Sequence, residues 1–285
     1  MSDLYTADRG MVALGPELVR VMELLEERFL GWADECGAVR MIFPPVISTA
    51  DLASIDYFDN FPHLALMTAP LALSPDAAPE RPTVPTEPIV PADGAVPADR
   101  LGASEYALAS AACYHVYLHH RAHRLGGPLR VTTVARCFRN EDHYDGLRRL
   151  RGFTMREIVC VGSREEVRDH LARFRPKVLE YAGRLGLDLA VQPASDPFFE
   201  QGGGRAVLAQ LFPVKEEFVH GGSLAIGSLN FHRNFFGERC DISLADGTPA
   251  FTACVAFGLE RWLGALLERH PSLDDILARV TEAAV

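Results

Sequence analysis

No run of apolar residues in this chain approaches the roughly 20 needed to cross a bilayer as a helix, although 48% of its 285 residues are apolar. The N-terminus, MSDLYTADRG, meets an acid at once and has no apolar stretch behind it, so it does not read as a secretory signal. Positive charge is in short supply as well. The 28 Lys and Arg residues against 38 Asp and Glu leave a net charge of −10, which argues against loose, charge-driven nucleic-acid binding. The six cysteines (Cys36, Cys113, Cys137, Cys160, Cys240 and Cys254) form no CxxC pair. In a reducing compartment they are thiols, most of them buried, with one or more available to a metal. No internal repeat is visible. What remains is an ordinary globular chain, expected to be cytoplasmic, with no membrane contact and enough length for one large core or two smaller ones.

Residues 15–36 place Leu18, Val21, Met22, Leu25, Phe29 and Trp32 at helical spacing, which predicts an amphipathic helix. The β-prone run VRMIFPPVIS follows, broken by Pro44 and Pro45, and belongs at an edge or an interface. From Pro70 to Pro97 there are eight prolines, so this stretch reads as an extended surface loop. A helix is predicted over 104–124, with Ser104 as N-cap and Gly126-Gly127 as the stop. LRVTTVARCFRNE (129–141) and RGFTMREIVCVG (151–162) alternate as strands, the first placing Ala135, Cys137, Arg139 and Glu141 on one face, the second Arg151, Phe153, Met155 and Glu157. A charged helix is predicted over 163–186 and a Gly-broken segment over 196–212, together a helical insertion at about 163–212. Further strands follow at KEEFVHG, SLAIGSLNFHRNFF and CDISLADGTPAFTACVAFG, with Asp246-Gly247 as a hairpin turn. The chain is expected to close with the helix LERWLGALLERH. Strands joined by hairpins predict an antiparallel sheet with helices on it, an α+β fold in one domain spanning 1–285.

In a chain short of positive charge, CFRNEDHYDGLRRLRGFTMRE (137–157) carries five arginines. On paired antiparallel strands, Arg139, Glu141, Arg151, Phe153 and Glu157 would share one face. A guanidinium for a phosphate, a ring for a planar base and a carboxylate for an exocyclic amine are what a nucleotide site requires. A surface hairpin with solvated charges would carry the same composition.

The order of the residues is more specific. FRNE followed by RGFTMRE resembles the second motif of class II aminoacyl-tRNA synthetases, and FTACVAFGLERWLGALLE, with Gly258, Glu260 and Arg261, resembles their third. Residues 15–45, a helix and then a strand ending in proline, match the first motif, which in that family forms a dimer interface; the resemblance therefore implies a homodimer and a class II synthetase catalytic core. It also implies roles. Arg139 would hold the α-phosphate of ATP and stabilise its charge during attack. Glu141 would accept from the adenine amino group, and Phe153 and Arg261 would sandwich the ring, with Arg261 also reaching the γ-phosphate. Arg149 and Leu150, in the loop, fall by the outer phosphates. Lys215, Glu217 and the run Ser228, Leu229, Asn230, Phe231 sit where the family places groups for ATP, Mg²⁺ and ribose.

A narrower resemblance is to the atypical, methanogen-type seryl-tRNA synthetases and, more closely, to their truncated relatives, the amino acid–carrier protein ligases. Cys113, Glu157 and Cys254 are placed like the Zn²⁺ ligands of those enzymes, with Glu157 also at the substrate and Cys137 a rival ligand by alternation. A three-ligand site with an open fourth position receives something, here the substrate's α-amine. The relatives activate a small amino acid, glycine or alanine, as the adenylate, and pass it to the phosphopantetheine thiol of a carrier protein. The acidic balance and the motifs' span of 15–270 fit that acceptor and leave no place for a tRNA-binding domain. A carrier would then meet the 163–186 helix (Arg164, Arg168, Arg173, Arg175, Lys177) or the Gly-rich segment with Arg205. A related enzyme using tRNA or a small-molecule acceptor, and a non-catalytic paralogue that only binds amino acid or nucleotide, are the alternatives. The amino acid, the carrier and the role of the Pro-rich loop are not written in the sequence.

Overall fold

In a computed structural model the structure describes residues 4–72, 90, 94–194 and 214–284. In chain order its elements are the hairpin β1 (Tyr5–Asp8) and β2 (Met11–Leu14), α1 (Pro16–Glu35), β3 (Val39–Arg40), β4 (Val46–Ser48), α2 (Thr49–Ser54), α3 (Tyr57–Asn60), β5 (Met67–Thr68), β6 (Tyr106–Leu108), α4 (Tyr114–His119), β7 (Leu129–Phe138) and β8 (Gly152–Gly162). These are followed by α5 (Arg164–Arg184), β9 (Leu189–Ala194), β10 (Lys215–His220), β11 (Leu224–Arg233), α6 (Phe235–Arg239), β12 (Phe251–Gly258), α7 (Leu259–Arg269) and α8 (Leu273–Ala284).

The centre is a seven-stranded sheet in the order β3-β7-β8-β12-β11-β10-β9. Its ladders are antiparallel except for β3 on β7. Alternation along each strand separates two cores. Ile158 of β8, Val255 and Phe257 of β12, and Leu229 of β11 pack under α1, α5, α7 and α8. There Phe29 stacks on Phe257 with ring centroids 4.1 Å apart, and Trp32, Tyr181 and Trp262 close around them. Truncating any one of these rings to Ala would cost about 3–5 kcal/mol. The opposite face of the sheet carries Val159, Val161 and Cys254, covered by the three-stranded sheet β4-β6-β5 and by α2, α4 and α6. The helices therefore form a rigid back, and the front is left for chemistry.

Local signals account for the helix ends. Pro16 sits in the first turn of α1, where its missing N–H costs nothing. Ser163 and Glu166 form a reciprocal capping box at α5. Gly37, at φ +72°, carries the chain out of α1.

The helix predicted over 104–124 is instead strand β6, a crossing stretch and the short α4. Ser104 caps nothing; its hydroxyl donates to the Thr68 and Tyr106 carbonyls. The cause is tertiary. The Ser110 carbonyl accepts from Arg139 Nε at 3.2 Å, the Ala112 N–H donates to Glu157 Oε1 at 3.0 Å, and the Ala109 carbonyl accepts from the Phe138 N–H. Backbone groups that a helix would use internally hold site side chains here. The predicted insertion also differs, since residues 189–194 are edge strand β9, antiparallel to β10. The Gly-rich segment with Arg205 and most of the Pro-rich loop lie outside the described residues, although Leu71 and Leu101 at the loop's two ends are bridged. Residues 240–244 are not a strand. Gly247, at φ +88°, makes the turn, but only the bridge between Ser243 and Pro249 flanks it.

Candidate functional site

Two cavities open on the front of the sheet and share Arg139, Met155, Lys215, Ser228 and Ala256. The smaller, about 90 Å³, lies over β8, β11 and the β12–α7 junction. The larger, about 260 Å³, reaches under α3, α4 and α6.

Of the residues read from the sequence as nucleotide contacts, Arg139, Glu141, Leu150, Phe153, Lys215, Glu217, Ser228 and Arg261 all line the smaller cavity. Arg261 opens α7 and is pinned by two carbonyls, Arg148 O at 2.9 Å and Ala225 O at 3.0 Å. Burial, and then the like charge of Arg139, pull its basicity below that of a free guanidinium. The guanidinium of Arg139 sits 5.1 Å over the Phe153 ring, and Phe153 and Arg261, expected on the two sides of an adenine, line the same cavity. Glu141, expected to face an adenine amine, accepts from Arg149 Nη1 at 3.0 Å. Lys215 and Glu217 pair at 3.1 Å.

Three expectations need correction. Arg149 does not line either cavity; its neighbour Arg148 does, braced by Glu268 and Ser223. Leu229 and Phe231 alternate away from Ser228 and Asn230. Leu229 is buried in the helical core, and Phe231 stacks on Phe251 beneath Arg168. Their side chains cannot reach a ligand on the front, because a strand turns successive residues to opposite faces. Asn230 does face the front, but it lines the larger cavity.

Cys113, Glu157 and Cys254 converge at the floor of that larger cavity. Their ligand atoms lie within 4.8 Å of one another and all three residues are buried. The register explains two of them. Glu157 pairs with Ala256 and Cys254 with Val159 across one ladder, which brings them to neighbouring rungs of the same face. Cys113 arrives from above, just before α4. Glu157 Oε1 accepts from the Ala112 N–H, whereas its wholly buried Oε2 accepts no hydrogen bond. The neighbouring Cys254 sulfur, burial and the Glu157 charge push the Cys113 thiol well above its ordinary range. Cys254 is drawn down by Cys113 but ends raised, because burial and Glu157 outweigh that pull. Three acidic groups packed together out of water with one orphaned oxygen fit a cation with mixed sulfur and oxygen ligands, as zinc takes. Cys137, the rival, is buried opposite Phe153 and stands outside this trio.

Sequence reasoning quoted Glu260 but gave it no role. It is 2% exposed. Its carboxylate accepts from the Thr154 N–H (2.7 Å), the Thr154 hydroxyl (2.8 Å) and Arg136 Nη1 (3.0 Å), clamping β8 to α7 beside Phe153. His232 was missed too, although the alternation Ser228, Asn230, His232 could have found it on the cavity wall. Of the cations proposed for carrier docking, Arg168 lies over Phe231, Arg175 is 3.6 Å from Glu216 and Lys177 pairs with Glu35, while Arg164 and Arg173 are exposed.

Residues 98–270 match the family model described as the tRNA synthetase class II core domain (G, H, P, S and T). Amino acid–[acyl-carrier-protein] ligase 1 of Bradyrhizobium diazoefficiens is 34% identical over 249 residues, covering 83% of this chain and 73% of the relative. The chain is a member of this ligase family, built on the class II synthetase core. Ligase 2 of the same organism is 33% identical over 249 residues, covering 81% of this chain and 69% of the relative. Among solved structures, M. kandleri SerRS in complex with A. aeolicus tRNASec superposes with a TM-score of 0.78 at 20% identity. That match covers 97% of this ligase and 57% of the SerRS chain, and it speaks for the fold alone. Among the described residues no helix of the ligase is long and apolar enough to cross a membrane.

Proposed function

We propose that this ligase activates a small amino acid, glycine or alanine, with ATP and Mg²⁺, and passes it to the phosphopantetheine thiol of a carrier protein. The observation that carries the reading is the shared wall of the two cavities, where Arg139 stands between the Phe153–Arg261 end and the Cys113–Glu157–Cys254 floor. An amino acid held by its amine at the floor would turn its carboxylate toward an α-phosphate beside Arg139. The carboxylate oxygen bonds to the α-phosphorus and pyrophosphate leaves. The carrier's sulfur then bonds to the adenylate carbonyl and AMP leaves. Arg139 faces the charge that develops in the first step. The orphaned Glu157 Oε2 and the two sulfurs would hold zinc, which supplies a Lewis-acid contact for a neutral amine when bound.

Ser228 and Ala256, small residues on the wall the two cavities share, leave room beside Arg139 for an amino acid and its adenylate; glycine or alanine follows from the resemblance to the carrier-protein ligases. A carrier acceptor is supported by the printed activity of the Bradyrhizobium relatives. A homodimer is supported by apolar residues left bare around β3, with Ile42 90% and Val39 59% exposed.

The test is pyrophosphate exchange across the amino acids, followed by loading of a phosphopantetheinylated carrier or of bulk tRNA. Exchange with glycine or alanine and loading of the carrier alone is the expected result. No exchange with any amino acid would refute the enzymatic reading, and loading of tRNA would refute the acceptor.

A further inference from the structure

Asn230 was grouped by the sequence with nucleotide contacts, yet it faces the other end of the site. It lies directly opposite Cys254 in the β11–β12 register. Its Nδ2 is 3.3 Å from Cys254 Sγ, 3.4 Å from the Cys254 carbonyl and 3.0 Å from Ser228 Oγ. Groups that can accept surround this nitrogen, which fixes the orientation of the amide. His232, one step along the same face, brings Nε2 to 4.0 Å from the same sulfur, with Nδ1 3.3 Å from the Tyr117 hydroxyl and 3.4 Å from Thr252 Oγ1. One of the three candidate ligands thus has a hydrogen-bond donor held against its sulfur by the sheet itself. Groups outside the ligand set that hydrogen-bond a ligand orient it and tune its hold on the metal.

We propose that Asn230 is a positioning residue for the Cys254 sulfur: its amide donates to that sulfur and sets how firmly the Cys113–Glu157–Cys254 trio holds a thiophilic divalent cation. The inference rests on the metal reading given above. It differs from a strand-pinning role, in which the amide would matter only through the Cys254 carbonyl; the antiparallel ladder already joins those strands.

The experiment uses the full chain as wild type, Asn230→Leu and Asn230→Ala, neither of which can donate to the sulfur or offer a ligand of its own. Zinc stoichiometry and affinity are read by competition with a chromophoric chelator, and the energy of the sulfur-to-metal charge-transfer band is read after loading with Co²⁺. Wild type should bind one ion per chain. Both variants should bind zinc about tenfold more weakly, and their cobalt bands should move to lower energy, because a sulfur relieved of its hydrogen bond gives up charge more easily. Should the leucine variant fail to fold, the alanine variant decides alone. An unmoved band in the variants, whatever the affinity, overturns the inference and leaves Asn230 as a strand tie. A wild type that takes up no metal overturns the metal reading itself, and the inference with it.

Discussion

Replacing Glu260 should damage both stability and ATP use, by amounts the structure fixes. In Glu260→Leu the Thr154 N–H and hydroxyl lose their buried acceptors. An orphaned buried donor costs about 1–3 kcal/mol, and the hydroxyl adds about 1 kcal/mol. The Arg136 contact adds little, because that side chain is 57% exposed and water takes over its partner's place. The sum is about 3 kcal/mol, within the roughly 5–15 kcal/mol of a typical domain, so the variant should still fold. Glu260→Gln keeps one carbonyl acceptor and should cost about half as much. Because Thr154 follows Phe153 and Glu260 precedes Arg261, loosening this clamp should also raise the KM for ATP about tenfold, equivalent to about 1.4 kcal/mol of lost binding. Urea unfolding at 25 °C and pyrophosphate exchange at varied ATP measure the two effects. A leucine variant within about 0.5 kcal/mol of wild type, or one with unchanged KM for ATP, would show that the clamp does not position the nucleotide end.

Cys254→Ser should lower bound zinc and amino-acid activation together, by far more than it perturbs folding, as metal analysis, exchange and calorimetry would show; full activity in a metal-free variant would count against the trio. Arg139→Lys retains charge but loses the planar fork and the stack on Phe153, and should slow exchange about 100-fold. His170, buried beneath the sheet with its Nε2 at the Ile158 carbonyl, is pushed by burial from 6.5 down to about 4. The unfolded chain therefore takes up that proton first as pH falls. The stability is complete above pH 6.5 and drains between 6.5 and about 4, so urea midpoints in His170→Leu should depend less on pH across that window than those of wild type.

The helix over 15–36 and the β7–β8 hairpin were legible because each is a local pattern. Apolar spacing of 3.6 or 2 places Phe29 or Val255 in the core whatever lies elsewhere in the chain. The ordered arginines and glutamates at 139–157 and 258–261 likewise pointed to side chains that line one cavity, since motif residues on one strand keep their relative facing. The failures have separate causes. The stretch 104–124 has helical composition, but Ser110 and Ala112 give their backbone groups to Arg139 and Glu157, partners 29 and 45 residues away. Leu229 and Phe231 carried roles from a motif, and strand alternation turned them to the other face.

Sequence alone determined that an antiparallel sheet carries helices, and which chemical groups are present, because periodicity and motif order are properties of neighbours along the chain. Tertiary structure decided which groups meet. Cys113 and Cys254, 141 positions apart in the numbering, reach one carboxylate only because β8 and β12 share a ladder and a non-helical crossing carries Cys113 over it. The same ladder geometry sets Asn230 against the Cys254 sulfur. Distances between residues remote in sequence follow from packing and register, and no local pattern encodes them.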